Sequence, residues 1–71
     1  MTDAEELRSH TEALGINLND VSRVTGADMR TVRRWSGGTA NLPASVVTLL
    51  CVMRAKGLMV DDVMDAREAF A

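Results

Sequence analysis

Three features of this 71-residue sequence predict an all-α protein, a compact bundle of about five short helices. Apolar residues recur at helical spacing. Thr2, Asn17 and Asp28, all suited to opening a helix, each precede such a stretch, and Gly15, Gly26 and Gly57 each follow one. The third feature is length. One domain of this size, spanning 1–71 with a single cysteine and so no internal disulfide, depends on well-packed helices or a partner subunit.

Thr2 with Glu5 three residues on makes a capping box, so the first helix is expected to open there and end at Gly15. Ala4, Leu7, Thr11 and Leu14 mark its inner face, which leaves Glu5, Glu6, Arg8 and Glu12 solvated. His10 has no second histidine, nearby cysteine or suitable carboxylate pair, so it reads as a surface or boundary residue rather than a metal ligand or base. Ile16 enters the core ahead of the next element.

The stretch from Gly15 to Gly38 organises the remainder. Asn17 caps a short helix over about 18–24, and Gly26 supplies the left-handed backbone of a tight turn. Asp28 caps a second helix over about 28–35, where its charge suits the positive end of the helix dipole. At about 100° per residue, Val32 and Trp35 share one side of that helix, and Arg30, Arg33 and Arg34 lie almost opposite. One side packs; the other presents guanidinium groups. Their fork matches phosphate oxygens and the O6/N7 edge of guanine. Met29 lies at the edge of this face near the helix start, where base contacts concentrate, and suits a thymine methyl. The bland alternative is a helical hairpin with a solvated basic face.

The stretch resembles the helix-turn-helix of the Cro/repressor (Xre-type) transcriptional regulators, the lambda-repressor-like DNA-binding fold. The matching positions are Val21, Ser22, Gly26, Ala27, Val32 and Trp35. Members with a V-R-R-W-x-x-G…P pattern and a following Leu-rich helix are especially similar: compare Val32-Arg33-Arg34-Trp35, Gly38, Pro43 and Leu49-Leu50. The resemblance covers roughly residues 4–54. With the second helix as the reading helix that the resemblance implies, Met29, Arg30, Arg33 and Arg34 are the candidate base readers, and Asn17, Asn19, Thr31, Thr39 and Asn41 the candidate phosphate contacts. Two positions depart from the family pattern. Thr25 stands where a large apolar residue is usual, and Leu18 where many members have a phosphate-gripping glutamine; Asn17 and Asn19 lie beside it.

After Trp35, the segment Ser36–Asn41 reads as a polar loop, either a phosphate contact or a plain connector. Pro43 is expected to begin the next helix, where its missing amide hydrogen costs nothing. Seven of the eight residues Val46–Met53 are apolar, more than one face of a surface helix needs. Cys51 within that run reads as a small buried hydrophobe, not a catalytic thiol. Asp61 and Asp62 are expected to cap a last helix through about Phe70, with Leu58-Met59-Val60 helical rather than extended. A dimer surface is expected within 44–71, formed by Leu50, Met53, Met59, Val63, Met64 and Phe70. One small domain does not easily bury so much apolar surface.

The net charge of −2 conceals a pattern. Residues 1–14 carry one positive and four negative charges, 15–57 six positive and two negative, and 58–71 one positive and four negative. Screening makes the local field decide phosphate binding, so a basic centre with acidic ends suits a DNA reader whose ends face away from the duplex. No nucleophile constellation, acid/base pair or metal cluster is visible, so the chain is not expected to be an enzyme and calls for no cofactor or metal. The stacking aromatics of single-strand RNA readers are missing. Nothing resembles a secretory leader or a membrane span, so a cytoplasmic setting without membrane contact is expected. The leading expectation is a dimeric repressor of a short operon, possibly its own as in phages and mobile elements, bound to a palindromic double-stranded operator. The alternative is an antitoxin-like module that uses the same scaffold to bind a protein such as a toxin.

Overall fold

Among the described residues the chain forms five helices, and four of them end on a glycine in the left-handed region. The computed structural model describes residues 2–71. In order they are α1 (Asp3–Leu14), α2 (Leu18–Thr25), α3 (Met29–Gly37), α4 (Ala44–Lys56) and α5 (Val60–Ala69). α1 packs on α3 and α4, and α2 on α3 and α5.

The caps form where the sequence places them. Thr2 Oγ1 accepts from the Glu5 amide, and Glu5 Oε1 accepts from the Thr2 amide. Asn17 and Asp20 repeat this reciprocal arrangement at α2, at 2.9 and 3.2 Å. Asp28 Oδ1 accepts from the Thr31 amide at 2.8 Å to open α3. Each bond satisfies an amide that the helix leaves without a partner. Pro43 stands one position outside α4 as its N-cap rather than inside it, and its carbonyl receives the Val46 and Val47 amides.

The core joins Leu7 of α1, Val21 and Val24 of α2, Val32 and Trp35 of α3, Leu42 of the connector, and Val46, Leu50 and Met53 of α4. No residue of α5 is fully buried; Val60 and Val63 only lean on the core. Leu42 is drawn in by its backbone, since its amide donates to Asp3 Oδ2 at 2.8 Å.

Four expectations need correction. His10 is 6% exposed, because α1 meets α4 along the flank it occupies. Its Nδ1 lies 3.1 Å from Arg54 Nη1, and since a guanidinium only donates, Nδ1 accepts. Cys51 is exposed, because the buried side of α4 follows Val46, Leu50 and Met53 and Cys51 falls on its outer flank. Leu58 and Met59 form the connector before α5 rather than part of it. Asp62 opens that helix from its third position, accepting from the Met59 amide at 2.7 Å.

Trp35 is the largest side chain in this small core. Its replacement by alanine is expected to cost roughly 3–5 kcal/mol, enough to unfold a domain this size. Circular dichroism and thermal melting check this; a cooperative transition near the wild-type midpoint would move Trp35 out of the core.

Candidate nucleic-acid interface

The α2–α3 connection is three residues long, and side chains from α2 close it. Gly26 takes φ 77°, which a residue with a Cβ adopts only under strain. Ser22 Oγ donates to the Ala27 carbonyl at 2.6 Å. Thr25 Oγ1 donates to the Val21 carbonyl at 2.6 Å and accepts from the Ala27 amide at 3.2 Å. Both backbone groups of Ala27 are therefore held by α2. The threonine that departs from the resembled pattern acts here as a polar clamp on the turn.

α3 follows with its two sides sharply divided. Val32 is 0% exposed and Trp35 5% exposed, while Arg30, Arg33 and Arg34 all lie in solvent. Among the described residues, none of these three arginines forms an ion pair. Met29 and Thr31 are half-buried at the start of the same helix. The face thus offers three unpaired guanidinium groups and one thioether flank, borne by a helix fixed through its opposite side.

The five polar residues expected beside this face divide by what already holds them. Asn17 is exposed, and its carbonyl oxygen caps α2, so only its amide NH2 remains to donate. Asn19 and Asn41 are exposed, with no side-chain hydrogen bond among the described residues, and the Thr31 amide is held by Asp28. The Thr31 side chain also bonds Asp28, and Thr39 is held as well. Its hydroxyl donates to the Arg34 carbonyl at 3.3 Å, and the Thr39 and Ala40 amides share that acceptor. Thr39 thus belongs to the C-terminal wrap of α3.

The residues expected at a dimer surface separate more sharply. Leu50 and Met53 are 0% exposed, packed inside the protomer, and cannot meet a second chain. Their place on the inner side of a helix apolar almost all round is the reason. Met59 is 65% and Phe70 92% exposed, with Val63 and Met64 half-buried. Val52, 44% exposed, joins the exposed large hydrophobics and was hidden in the apolar run.

Comparison of the chain with protein-family models, curated proteins and solved structures returns no match. Among the described residues, no helix is long and apolar enough to cross a membrane.

The Asp28 carboxyl lies below its ordinary range. Hydrogen bonding from the Thr31 side chain and amide is the main cause; desolvation opposes it, and the Arg30 charge adds to it. A lowered folded-state value means the cap stabilises α3 above the ordinary carboxylate range, and that contribution is lost as pH falls through the lower value. As pH falls from neutral through and below the ordinary carboxylate range, Asp28→Asn, which keeps an acceptor without the charge, should lose less helicity than wild type. Circular dichroism checks this, and equal losses would mean the charged cap adds nothing.

Proposed function

We propose that the protein is a sequence-specific DNA-binding regulator, a cytoplasmic dimeric repressor that lays α3 in the major groove of a palindromic operator. The observation that carries this reading is the free cationic face of α3, with Arg30, Arg33 and Arg34 exposed and unpaired opposite buried Val32 and Trp35. A short helix braced by a second helix and a tight turn is what the major groove admits, and it presents base-reading groups near its start. Arg30, Arg33 and Arg34 read base edges or phosphates, and Met29 flanks them against a thymine methyl. Asn17, Asn19 and Asn41 steady the duplex by its phosphates. The chemistry is binding rather than catalysis, and repression follows from occupying the promoter.

Selection of duplexes from a random pool, followed by titration, tests this reading. Alanine at one or more of Arg30, Arg33 and Arg34 is expected to cost about 1–3 kcal/mol and relax preference at one base pair. Wild-type binding by all three single mutants, to both selected and random duplexes, would remove α3 as the reader.

A pair of protomers fits the exposed apolar residues Met59 and Phe70, with Val52 beside them in character and Val63 and Met64 partly available. A two-fold pair covers one patch on each chain and sets two reading helices about one DNA turn, roughly 34 Å, apart. Light scattering at micromolar concentration should report a dimer, and Met59→Glu should return it to a folded monomer. A monomeric wild type bound to a single half-site would exclude the pairing.

A further inference from the structure

α5 is held to the body of the protein in an unusual way. It contributes no fully buried residue. Its apolar hold is Val60 and Val63, near its start. Its other anchor is Arg67, in its last turn, two of whose guanidinium nitrogens reach different carbonyls of α2. Nη1 donates to the Arg23 carbonyl at 2.8 Å and Nη2 to the Val24 carbonyl at 2.7 Å. These carbonyls close an eight-residue helix, at the end where helical geometry leaves acceptors free and the dipole is negative. The guanidinium fork suits two neighbouring oxygens, and its charge strengthens both bonds. Arg67 is also the one cation of α5, set among Asp61, Asp62, Asp65 and Glu68, yet among the described residues it pairs with none of them. Its charge goes to the backbone of α2.

The capped carbonyls sit directly before the turn that launches α3. Val24 is buried, and the next residues are Thr25, Gly26 and Ala27, which carry the clamp between the two helices. We propose that Arg67 is a positioning residue, a latch through which α5 fixes the C-terminal end of α2 and thereby the setting of α3. The consequence for reading duplexes rests on the DNA-binding function proposed above; the latch itself does not. α5 also begins beside exposed Met59 and ends at exposed Phe70, so whatever covers those side chains bears on the helix that holds the turn.

Amide hydrogen exchange and carbonyl 13C shifts of the full chain, in wild type, Arg67→Ala and Arg67→Lys, test the latch. In Arg67→Ala the amides of Gly26, Ala27, Thr31 and Val32 should exchange about tenfold faster, with those of α1 and α4 unchanged. The carbonyl resonances of Arg23 and Val24 should move. Lysine, a point charge able to hold one carbonyl, should recover part of the protection. Discrimination between selected and random duplexes should fall in the same order. Should the alanine protein fail to fold, the lysine protein carries the same comparison. Faster exchange spread equally over all five helices, or unmoved carbonyl resonances, would overturn the latch. Undiminished discrimination despite a loosened turn would overturn its role in positioning the reader. A wild type with no affinity for any duplex defeats the DNA reading instead, and the exchange pattern still decides the latch.

Discussion

A nine-residue helix cannot hold itself together in water, so α3 exists because Val32 and Trp35 are buried under it. A tryptophan that leaves water hides about 150–250 Å², worth roughly 4–6 kcal/mol before entropy is counted. Surface ion pairs contribute at most about 1 kcal/mol each. Packing therefore decides which way the helix faces, and the charges follow. With 32 and 35 turned inward, helical geometry leaves 30, 33 and 34 no inward position. The cationic face is a consequence of the core, and the reading role proposed for it would draw on that packing.

That burial orients α3 only if its start is also fixed, and the turn does this with small polar side chains. A buried or half-buried backbone group without a partner costs about 1–3 kcal/mol. In a three-residue connection, Ser22 and Thr25 satisfy both groups of Ala27. A large apolar side chain at 25 would add packing area but leave the Ala27 amide without this acceptor. The threonine trades hydrophobic contact for directional hold. Arg67 extends the same device, holding the end of α2 through its carbonyls rather than through side-chain packing.

How much of this could be read from the sequence depended on the range of the interaction. Caps act over three residues, and Thr2, Asn17 and Asp28 open the helices they were expected to open. The division of α3 into packed and free sides follows from periodicity, because its sequence mixes two apolar anchors with charges. α4 defeated the same method. With seven of eight residues apolar in its middle, periodicity indicates no direction, and only contact with α1 puts Leu50 and Met53 inside and Cys51 and Val52 outside. The missed contacts are polar and distant in sequence: Asp3 to the Leu42 amide, His10 to Arg54, and Arg67 to Arg23 and Val24. None leaves a local pattern. The nearest thing to a signal was a lone arginine in an acidic helix.

The net acidity of the chain, taken as a sum, opposes binding to phosphate, but the hydrogen bonds place much of that charge away from the face of α3. Asp3, Glu5, Asp20, Asp28 and Asp62 each accept from a backbone amide: four at the start of a helix, one at the connector before α4. Carboxylates at such sites meet the positive end of a helix dipole and need no cationic side chain. Among the described residues, Asp20 lies near Arg23, at 3.8 Å, and no carboxylate is recruited to Arg30, Arg33 or Arg34. Half of the ten carboxylates are thus placed where the backbone absorbs their charge, and the three arginines of α3 remain where solvent or a ligand can answer them. With screening lengths near 8 Å, an incoming polyanion responds to that local arrangement rather than to the sum over the chain.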